Sequence, residues 1–236
     1  MKQLPTQYRS PSTIGGFGQG VSAISAHKVL RQTYLLLSMT LLFSAAMAGV
    51  SMAIGAPYGL SLVCSLVSMG LLWFVVPRTA NSEAGIWVVF AVTGLLGFGL
   101  GPILNRYLAM ANGTQTVMTA LGLTGAIFLG LSAYAVKTRR DFSFMRGFLV
   151  GGIILAFVLS IGLLVASLFG VYLQPLSLAI SAMFALLMCG MILYQTGDII
   201  NGGETNYVLA TVSLYLSIYN LFVSLLQLLG YANSDD

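Results

Sequence analysis

Seven apolar runs, none with an Asp, Glu, Lys or Arg inside it, divide this chain at residues 33–54, 58–76, 84–104, 117–136, 148–170, 176–196 and 208–229. A helix rises about 1.5 Å per residue, so roughly 20 apolar residues cross a hydrocarbon layer of about 30 Å. Inside that layer no water satisfies a peptide group, and a helix satisfies its own. The segments between the runs, such as "GAPYG", "PRTANSE", "VYLQP" and "GDIINGGETN", are too short to hold a second folded unit. The pattern predicts an all-α, polytopic membrane protein, a seven-helix transmembrane bundle over residues 27–230. Residues 1–26, rich in Gly, Ser and Pro, read as a flexible cytoplasmic tail without the charged start, apolar stretch and small-residue site of a signal peptide. Residues 231–236 form a short C-terminal tail.

Only 7% of the residues are charged and 58% are hydrophobic. A water-soluble domain carries about a quarter charged residues, so lipid must be the main solvent here. The net charge of +4 does not indicate a nucleic-acid partner, because the basic residues cluster at span ends and form no basic, aromatic-lined groove. Lys2, Arg9, Lys28, Arg31, Arg78, Lys137, Arg139, Arg140 and Arg146 fall on one side, and Arg106 alone on the other. The positive-inside rule then places the N-terminus in the cytoplasm and the C-terminus outside.

Lipid supplies no hydrophobic drive between helices, so small residues at helical spacing should mark contacts. Gly94, Gly97 and Gly101, then Gly122, Ala126 and Gly130, then Gly147 and Gly151 have that spacing. Gly101-Pro102 should end or kink the third helix, and Pro77-Arg78 should stop the second. Cys64 and Cys189 read as small apolar packing residues, and His27 as a solvated side chain at the membrane surface.

The seventh run carries Ser213, Ser217, Asn220, Ser224 and Gln227 at steps of four, three, four and three, hence on one face. A lipid-facing helix would not show such a seam, so this helix should lie at the centre of the bundle. The seam is either a set of interhelical hydrogen bonds in a dry core or the wall of a wet ion path. On the sixth run Gln195 shares a face with Ser181 and Met188, at a depth that makes Gln195 and Ser217 neighbours. Asp141 reads as the N-cap of the fifth helix. Asp198 and Glu204 read as solvated loop acids, or as a cytoplasmic ion mouth or partner contact. No GxSxG, HExxH, Walker or Rossmann pattern occurs, and no serine has a base nearby in sequence, so no enzyme is expected.

The stretches "TRRDFSFMRG" (138–147), "GPILN" (101–105), "LYQTGDIINGG" (193–203) and "SLYLSIYNLFVSLL" (213–226) together resemble the Bax inhibitor-1 family, over the whole membrane domain. The resemblance implies a seven-helix bundle whose last helix is wrapped by the first six. "HKVLRQTY" and "NGGETNYVLATVSLY" are most similar to bacterial inner-membrane members that modulate the FtsH protease, which implies the FtsH complex and membrane lipid as partners. Other members resemble pH-sensitive calcium leak channels with an aspartate in "LYD" on the sixth helix, another in "LYLD" on the seventh, and a closing cation on the second. Here "LYQ" places Gln195 and "LYLS" places Ser217 at those positions, and Arg78 stands where the cation would be. An amide and a hydroxyl do not titrate as paired carboxylates do. The resemblance therefore implies a regulatory protein first. A calcium or proton leak with little pH sensitivity, using Asn220, Ser217, Gln195 and the loop acids Asp198 and Glu204, is the rival, with Ser213 and Arg78 as further pore or sensor candidates, and no cofactor is implied.

Overall fold

The structure is a computed structural model describing the backbone of residues 15–171 and 173–232, with side chains from residue 26. Seven of its helices are long and apolar enough to cross a membrane. They are α1 (Gly15–Ala53), α2 (Tyr58–Thr79), α3 (Ala84–Leu108), α4 (Gly113–Thr138), α5 (Arg146–Leu168), α6 (Gln174–Ile200) and α7 (Tyr207–Ala232). Of the expected tails, residues 1–14 and 233–236 lie outside the described residues, whereas residues 15–25 belong to α1. Lys28, Arg31, Arg78, Lys137, Arg139, Arg140 and Arg146 gather at one end of the bundle, here termed the basic end, and Arg106 lies in the last turn of α3 at the other.

Helix α7 is the central element. Of its most apolar stretch 61% is buried, against 11% for α5. Helices α1, α3, α4 and α6 pack around it, α2 packs on the outside of α3, and α5 on the outside of α6. Tyr215, Leu214, Leu221 and Leu226 of α7 are fully buried.

The outer helices invert the pattern of a water-soluble protein. In its first thirteen residues α2 buries Ser61, Cys64 and Ser68 and turns Leu62, Val63, Leu66 and Val67 outward. Helix α1 likewise buries Thr33, Thr40, Ser44 and Ser51 while Leu35, Met39 and Leu42 are exposed. Leucine against lipid costs nothing, whereas a small residue facing protein lets two backbones approach. The α1–α3 contact shows the gain. A Cβ at Gly94 would come within 2.7 Å of the Phe43 ring, one at Gly97 would strike the Ser44 carbonyl, and one at Gly101 the Ser51 hydroxyl.

The other two ladders face the wrong way for that role. A Cβ at Gly122, Gly130, Gly147 or Gly151 would meet nothing within 4 Å. The close approaches between α5 and α6 come instead at Gly152, 2.7 Å from Leu187 by the same measure, and at Gly190, 2.6 Å from Leu149. Pro102 does not end its helix, whereas α2 runs only two residues past Pro77, to Thr79. Helix α3 runs through Pro102 to Leu108. In α2 a π turn at Leu71–Val75 precedes Pro77, which sits in the first turn of a new α-segment, Val76–Thr79, where an N–H needs no partner.

Two glycine substitutions should therefore separate. Gly97→Ala should destabilise the bundle by about 1–3 kcal/mol, the usual range for overpacking. Gly122→Ala should be neutral or stabilising by up to about 1 kcal/mol through helix propensity. Reversible unfolding in mixed micelles measures both.

Candidate functional site

The polar seam of α7 meets α6 at both ends. Toward the basic end the Ser217 hydroxyl donates to Gln195 Oε1 at 3.0 Å and lies 3.1 Å from the Ser213 carbonyl. Toward the other end Ser181 Oγ donates to Gln227 Oε1 at 2.7 Å, while Gln227 Nε2 donates to Ser177 Oγ at 2.7 Å. Met188 lies buried between Ser181 and Gln195 on α6. Ser217 and Gln227 of the α7 face thus meet the Ser181–Gln195 face of α6 at its two ends. Asn220, midway along, donates to the Leu216 carbonyl of its own helix at 2.8 Å.

One side of α7 carries a bond that no sequence spacing announced. Tyr215 is 1% exposed. Its hydroxyl lies 2.6 Å from Ser44 Oγ on α1 and donates to the Thr93 carbonyl of α3 at 3.2 Å. With Ser44 donating to Tyr215, every proton in the chain has an acceptor, and α7 is tied to two neighbours through one atom. A phenol inside an apolar run must find a partner, so the residue type was the only available signal.

Asn206 is a second unannounced organiser. Its Oδ1 accepts from the N–H groups of Val208 (2.8 Å) and Leu209 (3.2 Å), capping α7. Its Nδ2 donates to the Ala80 carbonyl and to Asn81 Oδ1, clamping the α2–α3 connection to the start of α7. Glu204 accepts from the Asn206 N–H at 2.7 Å, which gives this acid a local structural task.

A cleft of about 510 Å³ opens at the basic end. Gln195, Ser213, Asp198 and Glu204 line it together with Arg146 and Tyr194. Four of the sequence-derived candidates are thus brought to one place, and Ser217 adjoins them through Gln195. Calcium takes six to eight oxygens. This cleft offers two carboxylates, one of them engaged with Asn206, and an amide oxygen engaged with Ser217.

The remaining candidates stand apart. Arg78 donates from Nη1 to the Phe74 carbonyl of its own helix at 3.0 Å. Asp141 accepts from the Ser143 N–H at 2.8 Å and from the Ser143 hydroxyl at 2.9 Å. It therefore caps the short 3-10 turn Ser143–Met145 that leads into α5, not α5 itself. These bonds, the backbone one first, hold its carboxyl below the ordinary value of 3.8. Because the folded value is depressed, the contribution is full above the ordinary value and disappears as pH falls through the folded one. His27 accepts from Arg139 Nη2 at 3.3 Å at the exposed basic end.

These bonds differ in what their loss should cost. Ser217→Ala should cost about 0.6 kcal/mol, the average for a hydrogen bond between membrane helices. Tyr215→Phe leaves the Thr93 carbonyl and the Ser44 hydroxyl without their partner and should cost about 1–3 kcal/mol. Unfolding of both variants in the same micelles gives the comparison. Equal effects would contradict the role assigned to Tyr215.

Comparison with known proteins matches these features to relatives. The family model described as inhibitor of apoptosis-promoting Bax1 covers residues 26–234. A protein of Escherichia coli K12 named modulator of FtsH protease YccA is 51% identical over 214 residues, 91% of this chain and 94% of the relative. An uncharacterized membrane protein of Vibrio cholerae is 47% identical over 215 residues, covering 90% and 93%. An uncharacterized protein of Pseudomonas aeruginosa is 48% identical over 208 residues, covering 88% and 91%. With seven spans, a central last helix and a match along nearly the whole membrane region, this chain belongs to the Bax inhibitor-1 family.

Proposed function

We propose that this protein is a regulator in the bacterial inner membrane that binds the FtsH protease complex and restrains its degradation of other membrane proteins. The observation that carries the reading is the 51% identity, along nine-tenths of the chain, to a relative named as a modulator of FtsH. The site agrees with it. Both positions that hold carboxylates in channel-like members are neutral here, and Ser217 and Gln195 are bonded to each other. A seam closed in this way holds helices together and has no proton to exchange near neutral pH. The rival leak would depend on the cleft of Asp198 and Glu204, and no observation favours it over regulation.

In this reading the basic end faces the cytoplasm, in keeping with the positive-inside rule. Residues 1–14, which precede α1, are then presented on that side. A polar segment ahead of the first helix suits an ATP-driven protease, which needs a handle to begin pulling. The bundle behind it resists extraction, so the chain occupies the enzyme as a slow substrate.

Two measurements test this. Raised levels of the protein should slow the turnover of a second FtsH-dependent membrane protein, read by pulse–chase. Deleting residues 2–20 should lengthen the protein's own half-life in cells with active FtsH and leave it unchanged in cells without FtsH. An unaltered second substrate would count against restraint, and an unaltered half-life against the handle.

A further inference from the structure

A cavity of about 460 Å³ lies between α1, α3, α4 and α7, apart from the α6–α7 seam. Its walls are almost wholly apolar, with Leu100, Phe128, Ile218 and Phe222 among them. Its mouth lies between α1 and α4, where the lining residues Ala45, Gly49 and Leu121 are exposed in the halves of those spans away from the basic end. Access is therefore lateral, from the hydrocarbon layer. A cleft of this size with a few placed polar groups has the character of a small-molecule site.

The polar groups on its wall narrow the choice of ligand. Ser44 and Tyr215 are bonded to each other, and the Thr124 hydroxyl donates to the Ala120 carbonyl at 2.7 Å. Tyr219, stacked on Tyr215 with ring centroids 6.2 Å apart, also lines the cavity, and its hydroxyl has no hydrogen-bond partner among the described residues. A phenol within an apolar wall normally has a partner, since leaving it unpaired costs free energy.

Depth decides what that partner is. Tyr219 lies about 18–20 Å from either end of α7 at 1.5 Å per residue, so it sits near the midplane of the bilayer. The ester groups of a phospholipid lie at the edge of the hydrocarbon, about 15 Å from that midplane. An ordinary acyl chain would fill the cavity but bring no acceptor to the phenol. A free lipophilic molecule with a carbonyl would do both.

We infer that this cavity binds a lipophilic carbonyl compound of the quinone type, which enters between α1 and α4 and accepts a hydrogen bond from Tyr219. The site does not depend on how the protein acts on a protease. The cavity volume suits one small molecule and excludes a partner helix. Gly49 and Gly125 line the cavity, and a Cβ at either would meet nothing within 4 Å, so each position has room for a side chain to begin.

The probe is tritiated decylubiquinone, titrated onto the full-length protein in nanodiscs of phosphatidylcholine, with empty nanodiscs as the blank. The expected result is saturable binding of one molecule per chain above the blank. Tyr219→Phe should weaken it about five- to tenfold with the stoichiometry kept, the loss of one hydrogen bond. Gly49→Leu and Gly125→Leu, each checked for the wild-type elution volume and helix content, should abolish it. Uptake no greater than in empty nanodiscs would overturn the proposal. So would wild-type affinity in Tyr219→Phe, which would reduce the cavity to a filler site for acyl chains. Undiminished binding by both leucine variants would place the ligand elsewhere.

Discussion

The hydrogen-bonded chain from Ser44 through Tyr215 to the Thr93 carbonyl shows what holds this molecule together. In lipid, removing a leucine from solvent gains nothing, so the bundle depends on contacts that lipid cannot imitate. These are backbones brought close by glycine and hydroxyls or amides that find each other across helices. Tyr215 supplies such a contact between α7 and two neighbours at once, while the Ser217–Gln195 and Gln227–Ser177/Ser181 bonds supply it along α6. The central place of α7 follows from this. It is the helix whose polar groups need partners, and partners exist only inside.

Helix count and type were legible because a hydrocarbon layer demands one segment length and one backbone structure. The seam of α7 was legible because five polar residues at steps of three and four have no other explanation, and its meeting with the Ser181–Gln195 face of α6 followed from register. The glycine ladders were legible only in part. Gly94, Gly97 and Gly101 face α1, while Gly122 and Gly130, with the same spacing, face outward. Spacing tells which residues share a face but not which face meets protein, and lipid accepts glycine as readily as leucine. Pro102 does not end α3, which runs on to Leu108, whereas α2 stops at Thr79, two residues after Pro77. Inside the hydrocarbon, continuing the helix past a missing N–H costs less than unwinding it. Tyr215 and Asn206 stayed hidden because their partners are distant in sequence.

For function, the decisive departure within the family is chemical. Gln195 and Ser217 stand in contact across α6 and α7, and neither an amide nor a hydroxyl titrates near neutral pH as a paired carboxylate would. Of the acids at the basic end, Asp198 and Glu204 line an open cleft, and Glu204 is held by the Asn206 backbone that organises the start of α7. Such an arrangement stiffens the α6–α7 corner. It suits a protein whose fold must resist extraction from the membrane better than one whose helices must part to conduct.

The most direct test of this account is calcium and proton flux into liposomes carrying purified protein, wild type beside Gln195→Asp/Ser217→Asp, at pH 6 and pH 8. The account predicts a silent wild type at both values and a pH-dependent leak in the double variant, whose restored carboxylates would face each other across the α6–α7 contact. Conduction by the wild type would contradict it, because the closed amide–hydroxyl pair would then be no barrier and the protein would be a channel.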